Sequence, residues 1–153
     1  MSESNCCQPF APEKFDGIQI EWNDKRFLYK RLRCIFHIPL GFGKMMEGAV
    51  AELVAANAKP EPDLMVIADE CSPWRSEVYI EADGEVADSE MRSISGIFEC
   101  KVFEGPYKDS GKWYKEMRAS FPDNEKVFAY YTTCPACAKK FGKNYVVLLA
   151  KVG

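Results

Sequence analysis

One carboxylate on a predicted strand is the group in this sequence best placed to do chemistry. Glu77 and Tyr79 lie two positions apart, so on a strand both side chains point to one face. Val78 and Ile80 then point to the other face, and if that face packs on helices, Glu77 and Tyr79 point into a cleft. A carboxylate among aromatic rings has its charged form disfavoured by desolvation, which suits acid or base chemistry. The same pattern also fits a solvated strand glutamate paired with Arg75 or a lysine.

Aromatic side chains are the second ingredient of the predicted site. They cluster at strand ends and at a turn, near where a cleft would open: Trp74, Tyr107, Trp113, Tyr130, Tyr131 and Tyr145. Flat faces with polar tips suit a planar or cationic ligand. Helical spacing favours a core position for Trp113, whereas pocket and core are equally open for Tyr107, Tyr130 and Tyr145. Strand alternation sends one of Tyr130 and Tyr131 toward helices and the other toward the cleft.

The cysteines could carry a metal or redox chemistry. There are seven, and an odd number excludes a fully paired disulfide framework, so we expect reduced thiols. Cys134 and Cys137 have the spacing of half a zinc site or of a redox pair. A tetrahedral zinc site would need Cys6 and Cys7 to fold back over that loop. Simple packing of reduced cysteines is the preferred interpretation, so we expect no metal and no other cofactor.

Composition narrows the class of protein. The formal net charge is -3 and the pI is near 5.3, which argues against a nucleic-acid binder because phosphate backbones need clustered Lys and Arg. Neither a signal peptide nor a run of about 18 apolar residues is present, so we expect a cytoplasmic protein without a membrane partner. A chain of 153 residues is most simply one domain, acting as a monomer or homodimer.

The elements that must position these residues follow one order twice. The first half has a short lead-in strand and then strand, helix, strand and strand, predicted over residues 18–22, 27–38, 43–58, 64–67 and 77–82, with a long loop before the last strand. The second half repeats the order over residues 91–103, 110–121, 127–132 and 145–152. This predicts an α+β fold in which two βαββ repeats form one antiparallel sheet, with two helices on one face and a ligand cleft on the other.

The domain organisation follows from the same pattern. Residues 1–17 are polar, carry two prolines and are predicted to form an N-terminal arm. Residues 18–153 are predicted to form a single domain, with repeat halves at about 18–84 and 90–153.

Three segments of the chain resemble a known family. Phe103 to Tyr107 leads through a Gly-Pro-Tyr turn into the helix with Trp113, Ser72 to Glu77 reads Ser-Pro-Trp-Arg-Ser-Glu, and Tyr130 to Pro135 is followed by Gly-Lys-Asn-Tyr. In these segments the chain is similar to the GyrI-like family, a small-molecule-binding fold also found as the effector domain of multidrug-sensing transcription regulators. It most resembles stand-alone members. Some stand-alone proteins of the wider family hydrolyse cyclopropane-bearing electrophiles, and others only bind ligands.

The resemblance implies a set of site residues. Family members carry a glutamate on a strand of the pocket floor that meets cationic ligands or serves hydrolysis, and Glu77 matches it through the Trp-Arg-Ser-Glu context. In a hydrolase of hydrophobic electrophiles, with a role in detoxification, Glu77 would activate water or protonate the leaving group. Tyr107 or Tyr131 would donate a hydrogen bond to the developing charge. The implied ligand contacts are Trp74, Glu77, Tyr79, Tyr107, Trp113, Tyr130 and Tyr145.

Two other functions remain open at this point. A non-catalytic module that binds or sequesters hydrophobic cations would use the same residues, with Glu77 as the counter-charge. A zinc-stabilised interaction protein would instead use the loop from Cys134 to Lys143 as its contact surface.

Overall fold

The structure, a computed structural model, describes residues 12–35, 38–60, 64–72, 74–105, 109–124, 126–131 and 145–153. The chain divides into two compact units. Residues 22–95 form the N-terminal unit, and residues 1–21 together with residues 96–153 form the C-terminal unit. A short 3-10 helix, Pro12–Lys14, precedes the first strand.

The N-terminal unit contains one helix and an antiparallel group of strands. Its elements in chain order are β1 Gln19–Ile35, β2 Ile38–Pro39, α1 Phe42–Ala55, β3 Val66–Ser72 and β4 Arg75–Glu81. The first three residues of β1 belong to the other unit. The strands are ordered β2, β1, β4, β3, and every neighbouring pair is antiparallel. The predicted strand, helix, strand, strand order is therefore present in this half.

Helix α1 packs on one face of these strands. Ala49 and Leu53 on the helix are fully buried, and they share a core cluster with Leu28 of β1 and with Val78 and Ile80 of β4. Lys30 of β1 adds an ion pair of 2.8 Å to Glu52 of the helix. Apolar burial on this face is what holds the helix to the sheet.

Three local predictions differ from the structure. The lead-in and the first strand form the single strand β1, which is irregular at Asp24 (φ 52) and ends at Ile35. The long loop before β4 is instead a short turn, since β3 runs on to Ser72, which pairs with Arg75. Strand pairing supplies hydrogen bonds that local sequence does not reveal. The helical spacing of Met46, Ala49, Val50, Leu53 and Val54 predicts one apolar face for α1. Val54 is nevertheless 60% exposed, because the buried face is narrower than this spacing indicates.

The C-terminal unit also contains one α-helix and a group of antiparallel strands. After β5 Met91–Glu104, whose first five residues lie in the other unit, come α2 Ser110–Ser120, β6 Lys126–Tyr131 and β7 Tyr145–Lys151. The strands are ordered β6, β7, β5 and are antiparallel. On α2, Trp113 and Met117 are buried against residues of β6 and β7, among them Val127 and Leu148. The predicted α+β class with antiparallel strands is confirmed.

Membrane-spanning capacity can be judged from the two helices. Within the part of the chain that the structure describes, neither is long and apolar enough to cross a bilayer.

Candidate functional site

Strand β4 has two chemically distinct faces. Val78 and Ile80 are buried in the cluster that packs on α1, as the alternation predicts. Glu77 and Tyr79 therefore lie on the opposite face of the strand. Antiparallel pairing with β1 places Arg31 across from Glu77 and Tyr29 across from Tyr79. We call the face carrying these residues the Glu77 face.

Four aromatic rings form the floor of the Glu77 face. Tyr29 and Tyr79 meet edge to face with their ring centroids 5.4 Å apart, and Phe27 lies 6.0 Å from Tyr79. Trp22 extends the floor, at 5.7 Å from Phe27. All four residues are buried, so the floor is a packed aromatic surface rather than a set of mobile rings.

The Glu77 carboxylate lies on this floor and is largely withdrawn from solvent. Its side chain is 17% exposed, and its Oε1 accepts a hydrogen bond of 3.2 Å from the Tyr79 hydroxyl. The Nη1 atom of Arg92, on β5, lies 4.0 Å from the same oxygen. Glu77 is thus an ionisable acceptor held between a phenol and a guanidinium, an arrangement able to receive a proton or a positive charge.

Tyr79 is the proton donor of this pair. Burial, and then the neighbouring Glu77 charge, raise the pKa of Tyr79 to about 12. The phenol therefore stays protonated at neutral pH and acts as a hydrogen-bond donor rather than as a base.

Arg92 places a cation on the aromatic floor. Its guanidinium carbon lies 3.7 Å from the centroid of the Tyr29 ring, which is a close cation–π contact. Its Nε and Nη2 atoms donate to the Glu90 carboxylate at 3.1 and 3.0 Å. The guanidinium is therefore shared between an aromatic face and two carboxylates.

The Tyr29 hydroxyl is a buried polar atom on the same face. It makes no hydrogen bond of acceptable geometry to any residue that the structure describes. Arg31 lies close enough for Tyr29 to raise the pKa of its guanidinium. A buried hydroxyl without a partner is uncommon in folded proteins and marks this part of the Glu77 face as incompletely satisfied.

The structure places the predicted site residues in different parts of the chain. Glu77, Tyr79 and Trp74 belong to the N-terminal unit, where Trp74 is exposed in the β3–β4 turn. Trp113 belongs to the core of the C-terminal unit, stacked on Phe103 at 5.7 Å. This is the core position that its helical spacing favours.

The remaining predicted tyrosines are on β6 and β7. Tyr130 is half-buried and meets Phe15 edge to face at 5.5 Å. It shares its strand face with Phe128, away from the Val127 and Ala129 face that packs on α2. Tyr145 is also half-buried. The following predicted positions lie outside the described residues or side chains: Cys6, Cys7, Tyr107, Tyr131, Cys134 and Cys137.

Five residues of the Glu77 face were not predicted from the sequence as site residues: Trp22, Phe27, Tyr29, Arg31 and Arg92. Alternation along β1 would have put Phe27 and Tyr29 on one face, but only the register with β4 relates that face to Glu77. Within the described residues, no group of three or more His, Cys, Asp or Glu side chains is arranged to hold a metal ion.

Comparisons with known proteins identify the family of this chain and a solved structure of similar fold. A family model described as "Bacterial hydrolase" matches residues 1–152. The fold is similar to the structure of SAV2435 bound to tetraphenylphosphonium, with a TM-score of 0.52 and 10% sequence identity over 89% of this chain and 93% of that chain. No curated protein sequence matches this chain. Because the family model covers nearly the whole chain, the protein belongs to the bacterial hydrolase family of GyrI-like proteins.

Proposed function

We propose that this protein binds a hydrophobic organic cation on the Glu77 face. The observation that carries the proposal is the position of Arg92, whose guanidinium lies 3.7 Å from the Tyr29 ring centroid and 4.0 Å from Glu77 Oε1. The protein's own side chain thus occupies the place of a planar cation. A surface that holds one organic cation between an aromatic face and a carboxylate has the chemistry to hold another.

Arg92 is then the group that a ligand displaces. Its side chain is 42% exposed and its other partner is the exposed carboxylate of Glu90, so it can leave the floor and remain hydrated. An exposed ion pair of this kind contributes at most about 1 kcal/mol. A ligand with a delocalised charge and a large apolar body gains more binding free energy on the aromatic floor than Arg92 does. The reason is that the ligand also removes its own apolar surface from water.

The fold comparison supports this choice of ligand class. SAV2435, whose fold is similar, is bound to tetraphenylphosphonium, a hydrophobic cation of the proposed kind. The two proteins share the fold, and the residues that would carry binding here are Glu77, Tyr79 and Tyr29.

Hydrolysis is the second candidate function, and the family description "Bacterial hydrolase" favours it. Glu77 would accept a proton from a water molecule as that water attacks an electrophilic ring carbon of a hydrophobic substrate. The ring carbon–carbon bond would break, and its electron pair would take up the proton that Glu77 has accepted, so that the net reaction adds one water molecule. Tyr79, hydrogen-bonded to Glu77 and protonated at neutral pH, would keep the carboxylate oriented for this step. A strained-ring electrophile of the cyclopropane type fits this chemistry, and its destruction would be a detoxification reaction.

Titration with tetraphenylphosphonium, followed by calorimetry, tests binding. We expect Glu77→Gln to weaken affinity about tenfold, because the neutral amide removes the counter-charge while keeping the shape. Triphenylphosphine oxide serves as the neutral ligand, and Glu85→Gln, at an exposed carboxylate of the same unit, serves as the matched control variant. Equal affinity of wild type and Glu77→Gln for the cation would overturn the proposal.

Turnover is measured separately, by mass spectrometry of strained-ring electrophiles incubated with each variant. Loss of products in Glu77→Gln, with the parent protein active, supports a hydrolase. Tetraphenylphosphonium binding without turnover of any electrophile supports a binding or sequestering module.

A further inference from the structure

The face that carries Glu77 continues along β1 and β4 into a group of arginines. Arg33 and Arg75 are direct cross-strand partners, and Arg31 is the next residue on the same face of β1. All three are exposed. Like charges placed directly opposite each other on a sheet destabilise it, so this pairing is unfavourable by itself.

The charge of this group is largely uncompensated. Among the residues that the structure describes, neither Arg33 nor Arg75 forms an ion pair with a carboxylate. Arg31 has Glu77 across the strand pair, and that carboxylate already faces Tyr79 and Arg92. Glu77 and its β3 partner Asp69 lie beside Arg31, whereas Arg33 and Arg75 face each other at the far end of the group. Two guanidinium groups placed side by side favour an anion, which they can bind through paired hydrogen bonds.

Exposed apolar side chains surround the same arginines. Trp74, Ile35 and Leu40 are 56%, 50% and 48% exposed. Together with the arginines they line an open pocket of about 640 Å³, a volume in the range of small-molecule sites. Backbone bonds hold its walls, since Cys34 N–H donates to the Trp74 carbonyl at 2.8 Å and Leu40 N–H to the Arg33 carbonyl at 2.9 Å. Large apolar side chains grouped at the surface mark binding sites.

We propose that this pocket binds a small organic anion with a flat apolar body, such as an aromatic carboxylate. The Arg33 and Arg75 guanidiniums hold the anionic group, and the Trp74 ring stacks on the apolar body. We call these three residues with Arg31, Ile35 and Leu40 the arginine pocket. The arginine pocket is a separate site from the Glu77 face, although Arg31 belongs to both. The proposal does not depend on cation binding at Glu77.

Binding of 2-naphthoate, with 2-naphthamide as its neutral counterpart, tests the proposal. We expect 2-naphthoate to bind about tenfold tighter than 2-naphthamide, and increasing salt to reduce the difference. The double variant Arg33→Gln with Arg75→Gln should remove this preference. The double variant Arg26→Gln with Arg118→Gln lowers the net charge equally at arginines outside the pocket and should keep it. Trp74→Leu should weaken both ligands.

Several results would overturn the proposal. These are equal affinity for the acid and the amide, equal loss of affinity in the two double variants, and no saturation by about 1 mM ligand. Binding to phosphatidylglycerol vesicles without binding of 2-naphthoate would assign the surface to a lipid bilayer and also overturn it. Glu77→Gln separates the two sites, because it should weaken tetraphenylphosphonium binding about tenfold and leave 2-naphthoate affinity equal or higher. A drop in 2-naphthoate affinity in Glu77→Gln, as large as that in the pocket double variant, contradicts the assignment to the arginines.

Discussion

The guanidinium of Arg92 lies over the ring of Tyr29, with its central carbon 3.7 Å from the ring centroid. The two residues are far apart in sequence, and the contact brings the cation within 4.0 Å of the Glu77 carboxylate. A guanidinium of the same unit therefore already occupies the cation position on the Glu77 face. The affinity of the Glu77 face for a ligand therefore depends on the free energy needed to move Arg92 off the Tyr29 ring.

Removing the internal cation should strengthen binding of an external one. We expect Arg92→Gln to bind tetraphenylphosphonium about three- to tenfold more tightly than wild type, because the ligand no longer competes with a guanidinium for Tyr29 and Glu77. Calorimetric titration measures the change. Arg26→Gln, at an exposed arginine of the same unit, controls for net charge. Weaker binding in Arg92→Gln would mean that Arg92 positions Glu77 rather than competing with the ligand.

Tyr79 should make folding stability depend on pH in the alkaline range. Burial and Glu77 raise its pKa from 10.0 to about 12, so the folded state holds the phenolic proton more tightly than the unfolded state does. The resulting stabilisation is fully present below pH 10 and is lost as the pH rises through about 12. We expect wild type to lose about 2 kcal/mol more unfolding free energy than Tyr79→Phe between these limits. Urea unfolding measures this, and parallel pH curves for the two proteins would contradict it.

Glu52 should contribute stability that is lost in acid. Hydrogen bonds from Lys30, and then from Ser89, lower the pKa of Glu52 below its ordinary value of 4.5 despite partial burial. Its contribution is therefore present above pH 4.5 and disappears as the pH falls through the lower folded value. We expect Glu52→Gln to cost about 1 kcal/mol at pH 7 and almost nothing in strong acid. Denaturant titrations of Glu52→Gln and of Glu47→Gln, an exposed position on the same helix, check this. A pH-independent loss in Glu52→Gln would contradict it.

Cys100 should be unreactive in the folded protein. Burial, and then the Glu99 charge, raise the pKa of its thiol to about 12, so almost no thiolate is present at pH 8. We expect iodoacetamide to leave both Cys100 and the buried Cys34 unmodified until denaturant is added. Peptide mapping by mass spectrometry identifies the modified positions. Rapid labelling of Cys100 in native buffer would show that β5 opens locally.

Leu53 and Val54 form a matched pair on α1, one fully buried and one 60% exposed. We expect Leu53→Ala to lower the unfolding free energy by about 2 to 5 kcal/mol, because it leaves a cavity under the helix. Val54→Ala should change stability by less than about 0.5 kcal/mol. Denaturant unfolding of the two variants compares them directly, and similar losses would contradict the packing of α1 described above.

The sequence alone determined those features that depend on local periodicity. Alternation separated Glu77 from Val78 because successive side chains of any strand face opposite ways. Helical spacing likewise put Trp113 on the buried face of α2, and the order of strands and helices specified the α+β class. These features follow from the geometry of single elements, so a reader of the sequence can derive them without knowing which elements meet.

Only the tertiary structure decided what surrounds Glu77. The register of β1 with β4 brings Tyr29 opposite Tyr79 and Arg33 opposite Arg75, and a shift by one residue would send all of these side chains to the other face. The contact of Arg92 with Tyr29 joins residues from different strands, and no local pattern encodes it. The same holds for the extension of β3 to Ser72, where the hydrogen bonds of a partner strand outweigh a polar sequence with weak strand propensity. Pairing between distant segments, rather than the propensity of each one, therefore assembles the site.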